Sequence, residues 1–169
     1  MNKINNIILI GMPGCGKSTV GVVLAKSIGY DFVDSDLVIQ KQMKETLSQI
    51  IEDDGLDEFI SIEERINSQI NVSDSVIATG GSVVYGTKAM EHLKSIGIVV
   101  YLKLSYESIK SRLGDLAKRG VVIKEGSTLL DLYNERIPLY EKYADIILEC
   151  EGKEIREIVE EIHGKMQKD

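Results

Sequence analysis

The sequence predicts an α/β fold, a three-layer α/β/α sandwich built on a central five-stranded parallel sheet. Three observations support this prediction. Short apolar runs alternate about five times with longer helical segments, which is the order expected when helices connect parallel strands. Glycines separate these segments, because Gly11 follows the first apolar run and Gly29 and Gly97 follow helical segments. The chain has 169 residues, 43% hydrophobic and 28% charged, which is typical of one globular domain.

In the first half of the chain, apolar runs and helical spacing define six elements. We expect strands over residues 7–10, 31–36 and 75–79, and helices over residues 20–28, 37–51 and 56–70. The helix over 20–28 has apolar residues at helical spacing and stops at Gly29, a residue type that commonly ends helices. The helix over 56–70 carries many acidic residues, which we interpret as a solvated face at every position but Glu63.

The second half of the chain continues the alternation. We expect helices over residues 87–96, 129–143 and 153–165, and strands over residues 98–104 and 145–148. The run over 98–104 is the clearest strand, and Ser105 after it has the character of a helix N-cap. Residues 118–127 are the best candidate for a long mobile loop, although residues 121–123 are apolar enough to form a small strand.

The net charge and the cysteine count narrow the classes of function. The net charge is −7, and the basic residues are scattered among acids, which argues against nucleic acid as a partner. The two cysteines, Cys15 and Cys150, are too few for a metal cluster and fit a reducing compartment. The apolar runs are too short for a membrane span, and no secretory signal is recognisable. We therefore expect a cytoplasmic monomer that binds neither nucleic acid nor a membrane.

The most specific motif lies between the first strand and the first helix. Residues 11–18 read Gly-Met-Pro-Gly-Cys-Gly-Lys-Ser and match the Walker A pattern in full, in the strand–loop–helix context that the pattern requires. Glycines permit backbone angles that other residues reach only with strain, and they let amides approach phosphates. The helix that follows presents free N–H groups and a partial positive charge to an anion. The motif predicts binding of a nucleoside triphosphate, ATP by default.

Individual residues of this loop have expected roles. Lys17 is expected to reach the β- and γ-phosphates, and Ser18 to ligate Mg2+. The residues expected to contact ATP in this segment are Gly11, Gly14, Cys15, Gly16, Lys17, Ser18 and Thr19. For the side chain of Cys15 we favour the role of a small filler, and the alternative is a thiol made reactive by the helix N-terminus.

Two carboxylates end the second predicted strand. Asp34 and Asp36 alternate, so in a strand both side chains would point the same way, at the edge where parallel-sheet active sites lie. One could hold Mg2+ through water while the other accepts a proton from a substrate hydroxyl. The alternative is that Asp36 only caps the next helix. Beside the phosphate-binding loop, we favour the functional interpretation.

With these residues the chain resembles the shikimate kinases, small kinases of the P-loop NTPase fold. The resemblance runs over nearly the full length. It rests on residues 9–36 (LIGMPGCGKSTVGVVLAKSIGYDFVDSD), residues 78–82 (ATGGS) and residues 135–145 (ERIPLYEKYAD). Many families share the Walker A pattern, whereas its combination with the other segments is much more selective. The resemblance implies one kinase domain over 1–169, with a helical substrate-binding segment at about 36–70 and a lid at about 112–128.

On the acceptor side, the resemblance implies ATP-dependent phosphorylation of a hydroxyl group on a small carboxylated metabolite. Shikimate is the leading candidate for this metabolite. Asp36 would contact the reacting hydroxyl as base or orienting group. Gly80 and Gly81 would offer backbone contacts to the substrate. Arg136 would pair with the substrate carboxylate through its planar fork.

On the nucleotide side, the resemblance implies ATP and Mg2+ as cofactors. Asp34 would support Mg2+ together with Ser18. Counting along the chain puts Arg119 at the position of the lid arginine, over the phosphates, where it would act with Lys17 in catalysis. The same count puts Arg112 near the position that contacts adenine.

The chain departs from the family pattern on the acceptor side. In the segment over residues 55–63, Ile60 stands where the family has an arginine that binds the shikimate carboxylate. Losing one of two such cations should cost about 2–5 kcal/mol. Ser82 replaces the third glycine of the usual triplet, and Gly120 follows Arg119 where the family has proline. A divergent shikimate kinase, a related kinase with another hydroxylated acceptor and a non-catalytic nucleotide-binding module therefore all remain hypotheses, in that order.

Overall fold

The computed structural model describes residues 5–114, 121 and 123–168 and has the predicted α/β architecture. In that part of the chain, five parallel strands form one sheet in the order β2-β3-β1-β4-β5. The strands are β1 (Asn6–Ile10), β2 (Asp31–Asp34), β3 (Ser75–Ala78), β4 (Gly97–Lys103) and β5 (Ile146–Glu149). Because β1 is the middle strand, the loop that follows it opens at the centre of the carboxyl edge of the sheet.

Helices connect the strands and cover the sheet. They are α1 (Lys17–Ile28), α2 (Ser35–Met43), α3 (Leu47–Asp54), α4 (Leu56–Asn67), α5 (Thr87–Ile96), α6 (Tyr106–Leu113), α7 (Leu129–Tyr143) and α8 (Ile155–Met166), with a short 3-10 helix over Val83–Tyr85. The connection through α1 leads to one side of β1 and the connection through α5 to the other. Right-handed crossovers therefore place α1 and α5 on opposite faces of the sheet. No helix in the described part is both long and apolar enough to cross a membrane.

A buried asparagine ties the amino ends of three strands together. The side-chain amide of Asn6 donates to the backbone oxygens of Val72 at 2.8 Å and Ile96 at 2.9 Å, and its side-chain oxygen accepts from the amide of Ser75 at 3.0 Å. Asn6 is fully buried, so these three bonds satisfy a polar group that would otherwise be costly to bury. They fix the start of β3 and β4 against β1, opposite the edge that carries the site.

The helices after β2 have a small core of their own. Ile39 of α2, Ile50 of α3 and Phe59, Ile62 and Ile66 of α4 are buried against one another, separately from the main cluster around the sheet. Their packing closes three short helices into one compact segment. That segment stands beside the carboxyl ends of β2 and β3.

Two predicted elements differ from the structure in ways that matter for the site, while others differ by a few terminal residues. The strand expected over residues 31–36 ends at Asp34, so Asp36 lies in the first turn of α2 and the predicted alternation of the two carboxylates is wrong. The helix expected over residues 37–51 is two helices. Lys44 ends the first with a left-handed backbone (φ 57°), and Thr46 starts the second with a capping box. These caps are local signals in the sequence that outweighed its helical composition.

The region of the expected lid is described in part. Ser105 caps α6 as predicted, by accepting from the amide of Ser108 at 3.2 Å. Val121 and Ile123 do not belong to a strand, so the alternative of a small strand there is not supported by the described residues. Arg119 lies outside the described residues.

Candidate active site

A cavity of about 840 Å3 opens at the carboxyl edge of the sheet. The loop after β1, the helices α2 to α4, the loop after β3 and helix α7 form its walls. It brings together most of the site residues expected from the sequence: Gly14, Gly16, Lys17, Ser18, Thr19, Asp36, Gly80, Gly81, Arg112 and Arg136. Segments far apart in the sequence thus meet at the place where open parallel sheets bind ligands.

The phosphate-binding loop has the backbone that its glycines allow. Gly11, Gly14 and Gly16 have φ angles of 150°, 80° and 100°, which side-chain-bearing residues rarely adopt. Gly16 is the N-cap of α1 and provides no side-chain cap. The first amides of α1 are therefore left for an anion, and the exposed side chains of Ser18 and Thr19 stand beside them.

Lys17 is folded back onto the loop. Its Nζ donates to the backbone oxygens of Gly11 at 2.7 Å and Met12 at 2.9 Å, and the residue is buried. These two bonds hold the ammonium group at the floor of the cavity. Nζ also contacts Sγ of Cys15 at 3.7 Å. A buried cation whose hydrogen-bond partners are two neutral carbonyl oxygens and a sulfur atom is well placed to exchange them for phosphate oxygens.

Cys15 is a filler of the loop. The residue is 1% exposed, and a Cβ atom at Gly11 would lie 2.8 Å from its Sγ. Burial removes the access that a reactive cysteine needs, so the alternative of a reactive thiol is not supported.

The loop and its surroundings fit a nucleotide with Mg2+. Free amides, a lysine and the hydroxyl of Ser18 supply donors and a hard oxygen at the helix N-terminus. Within the described ranges, no group of three or more His, Cys, Asp or Glu residues could hold a metal ion alone. Such a donor set suits Mg2+, which binds through one or two protein oxygens and the phosphates of its substrate.

Asp34 at the end of β2 and Asp36 at the start of α2 have different contacts in the structure. Asp34, not Asp36, is the N-cap of α2, because its Oδ1 accepts from the amides of Asp36 at 3.0 Å and Leu37 at 3.3 Å. Asp36 is the residue that lines the cavity, and its Oδ1 has no hydrogen-bond partner among the described residues. Burial first and the charge of Asp34 second raise the pKa of Asp36, while Lys17 opposes them. A carboxylate with a raised pKa is a stronger proton acceptor than an ordinary one.

Glu63 on α4 faces Asp36 across Gly80. A Cβ atom at Gly80 would lie 2.7 Å from Oε2 of Glu63 and 2.8 Å from Oδ1 of Asp36, so the two carboxylates converge on one point. Oε1 of Glu63 accepts from the hydroxyl of Ser82 at 2.6 Å, and Oε2 has no partner within the described part. Burial is the largest cause of a pKa of Glu63 raised to about 7; the bond from Ser82 lowers it, Asp36 raises it, and Arg136 and Lys17 lower it.

This raised pKa makes stability depend on pH in a defined direction. The folded chain holds the Glu63 proton up to about pH 7, whereas the unfolded chain releases it near the ordinary value of 4.5. The folded state therefore loses stability as the pH rises from about 4.5 to 7, by up to about 3 kcal/mol. The stability of Glu63→Gln relative to the wild type should therefore be greater at pH 8 than at pH 5, by an amount of this order.

Urea unfolding of both proteins at pH 5 and pH 8 measures that gain. Glu58→Gln is the matched control, because Glu58 is an exposed residue of the same helix and should give no pH-dependent difference. If the free energies of unfolding of Glu63→Gln and the wild type differed by the same amount at both pH values, the raised pKa of Glu63 would be contradicted.

The loop after β3 is held in place by side chains that the sequence did not single out. The hydroxyl of Tyr140 donates to the backbone oxygen of Gly81 at 2.6 Å, and the hydroxyl of Thr79 donates to that of Leu9 at 2.8 Å. Together with the bond from Ser82 to Glu63, these contacts fix the backbone from residue 79 to residue 82. Tyr140 also stacks on Tyr101 in the core, with ring centroids 5.1 Å apart.

Both glycines of this loop allow close approach. Beside Gly80 lie the two carboxylates, and a Cβ atom at Gly81 would lie 2.7 Å from Cδ of Pro13 and 2.9 Å from Nη1 of Arg136. A side chain at either position would therefore force one of these neighbours to move. Ser82, which replaces the third glycine of the family pattern, finds a partner for its hydroxyl in Glu63.

Arg136 lies between the main cavity and a smaller neighbouring one, and Ile60 lines the smaller one. Arg136 on α7 is 6% exposed and lines the main cavity. Ile60 on α4 lines a neighbouring cavity of about 160 Å3, which Arg136 also lines together with Tyr85 and Lys124. An arginine at position 60 would therefore have approached Arg136 from this side. In this chain α4 places an aliphatic side chain there.

Arg112 lies over the phosphate-binding loop. Its Nη1 donates to the backbone oxygens of Gly14 at 3.4 Å and Cys15 at 3.5 Å, both at the long end of hydrogen-bond distances. The residue lines the cavity but is otherwise exposed. A nucleotide in the cavity would lie beside it.

The chain is similar to known proteins in sequence and in fold. The sequence model of the family described as Shikimate kinase matches residues 13–167. The chain is 38% identical over 159 residues to a shikimate kinase of Clostridium botulinum, covering 94% of each protein. It is 39% identical over 160 residues to a shikimate kinase of Thermodesulfovibrio yellowstonii, covering 93% of this chain and 92% of that one. The structure of shikimate kinase from Acinetobacter baumannii in complex with shikimate matches with a TM-score of 0.90 and 31% identity, covering 98% of this chain and 94% of that one.

Proposed function

The chain belongs to the shikimate kinase family, and on that premise we propose that it transfers the γ-phosphoryl group of ATP to a hydroxyl group of shikimate. The observation that supports this most is the convergence of three groups on one cavity: a phosphate-binding loop with Lys17, the unpartnered carboxylate of Asp36 and the buried cation of Arg136. They match, in order, a triphosphate, a hydroxyl group and a carboxylate.

On the nucleotide side, the loop amides and Lys17 bind the phosphates. Lys17 exchanges its two carbonyl partners for phosphate oxygens and neutralises the charge that develops during transfer. Ser18 and Asp34 would hold Mg2+, which supplies further neutralisation of phosphate charge. From the family resemblance, Arg112 would contact the nucleotide near adenine. Arg119, which lies outside the described residues, would act on the phosphates as part of the lid proposed over about 112–128.

On the acceptor side, Asp36 receives the proton of the reacting hydroxyl. The oxygen of that hydroxyl forms a bond to the γ-phosphorus as the bond to the β,γ-bridging oxygen breaks, and ADP leaves. Gly80 and Gly81 let the substrate approach the backbone closely, and Arg136 pairs with its carboxylate. Residues 36–70 form the acceptor-binding segment, with Glu63 bracing the loop through Ser82.

The test is a coupled ADP-release assay with shikimate and a panel of other hydroxylated acids, sugars and nucleoside monophosphates. We expect ADP release that depends on shikimate and saturates with it. Release that depends on another acceptor and not on shikimate would instead favour a related kinase, the alternative that Ile60 keeps open. If none of these acceptors gave acceptor-dependent ADP release, the proposed function would be contradicted.

A further inference from the structure

Arg136 is a buried cation without an acidic partner in the described part of the chain. The ion pairs found there do not include it, although it is 6% exposed. A buried charge without a counter-ion is costly, and its orientation is not fixed by a carboxylate of the protein. Some other group must therefore hold the guanidinium in place before an anion arrives.

Tyr85 is that group. Nε of Arg136 donates to the hydroxyl of Tyr85 at 3.3 Å, and the guanidinium carbon lies 5.4 Å from the centre of the tyrosine ring. One side chain thus makes both a charge-assisted hydrogen bond and a cation–π contact.

The backbone of Tyr85 is held in place by its neighbours. It ends the 3-10 helix Val83–Tyr85, in which Val83 and Val84 are buried, directly after the braced loop of Gly80 to Ser82. The amide of Tyr85 donates to the backbone oxygen of Ser82 at 3.1 Å. The position of the tyrosine is therefore tied to the same loop that is proposed to contact the acceptor.

The contact with Tyr85 determines which nitrogens of Arg136 stay available. With Nε engaged by the tyrosine, Nη1 lies towards Gly81, where a Cβ atom would come within 2.9 Å of it. The planar fork of an arginine then presents its terminal nitrogens to the main cavity. Holding the fork before binding lowers the entropy lost when a carboxylate binds.

We propose that Tyr85 is a positioning residue that holds Arg136 ready for the acceptor carboxylate, at a site where α4 offers Ile60 and no second cation. The inference rests on the proposed function, because it assigns the carboxylate to Arg136. It adds to that function the way in which Arg136 is held for an anion where α4 carries Ile60. Both Ile60 and Tyr85 line the same small cavity beside Arg136.

Binding of shikimate and of its uncharged methyl ester to the full chain, measured by calorimetry, tests the inference. Tyr85→Phe keeps the ring and removes the hydroxyl. We expect it to weaken binding of the acid about 5- to 10-fold, the effect of losing a hydrogen bond to a charged group, and to leave binding of the ester within about twofold. In turnover, KM for shikimate should rise by the same factor with kcat within about twofold. Arg136→Gln should abolish the preference for the acid over the ester, and it therefore gives the largest loss of preference that Tyr85→Phe could cause.

Tyr133→Phe is the matched control. Tyr133 lies on the same helix as Arg136, and its hydroxyl donates to the backbone oxygen of Leu104 at 2.9 Å. We expect it to leave the preference for the acid unchanged. Equal weakening of acid and ester by Tyr85→Phe would show a merely structural role and overturn the inference, and so would unchanged binding of the acid. A wild type that binds neither compound would instead contradict the proposed function.

Discussion

Asp36→Asn is expected to lower kcat for shikimate phosphorylation by about 10²- to 10⁴-fold, the range that a positioned proton acceptor contributes. Asparagine keeps the shape of the side chain but cannot take up the proton of the hydroxyl. The fold should survive, because the substitution removes a half-buried carboxylate whose pKa is raised by burial and by Asp34. Steady-state rates of ADP release and the midpoint of thermal unfolding measure the two effects separately.

Asp31→Asn is the matched control for this prediction. Asp31 begins the strand that Asp34 ends, its side chain is exposed, and it lies at the end of the sheet away from the cavity. We expect its kcat to equal that of the wild type. A near-normal kcat in Asp36→Asn would remove Asp36 from the chemistry and leave it a role in orientation at most.

Lys17→Met is expected to lower kcat by about 10²- to 10³-fold, as for the loss of one preorganised donor that faces developing charge. Methionine fills the space of the lysine stem but cannot donate to phosphate oxygens. The two carbonyl oxygens that Nζ contacts, those of Gly11 and Met12, lose their donor, so some loss of stability is expected as well. Rates at saturating ATP and the unfolding midpoint distinguish the two effects.

Lys26→Met controls for the removal of a positive charge from the same helix. Lys26 is exposed in the last turn of α1, at the end opposite the phosphate-binding loop. It should leave kcat unchanged. If Lys17→Met were to retain wild-type turnover at saturating ATP, the loop would bind the nucleotide without taking part in transfer.

Local signals were sufficient to predict most of the fold. The helices over Thr87–Ile96 and Leu129–Tyr143 have the predicted bounds. Glycines flank the first helix, and Thr128 caps the start of the second. The phosphate-binding loop was equally predictable, since each of its residues is specified by a contiguous motif. The errors occurred where two local signals compete. At Asp34 a cap ends the strand early, and at Lys44 and Thr46 caps divide one expected helix into two.

The acceptor side of the site was harder to predict, because its contacts join residues distant in sequence. The bond between Ser82 and Glu63 spans 19 positions, and that between Arg136 and Tyr85 spans 51. Neither pair has a motif of its own. The one signal that could have found Ser82 is its departure from the family glycine, next to the departure at Ile60. Both departures lie beside side chains, Glu63 and Arg136, whose hydrogen bonds come from segments distant in sequence.

The most direct test of the account is to identify the product. Incubation of the full chain with ATP labelled in the γ-phosphoryl group and with shikimate, followed by mass spectrometry, measures where the label goes. The account predicts a phosphorylated shikimate formed in the same amount as ADP, and its loss in Asp36→Asn. ADP formed together with labelled inorganic phosphate and unmodified shikimate would contradict it.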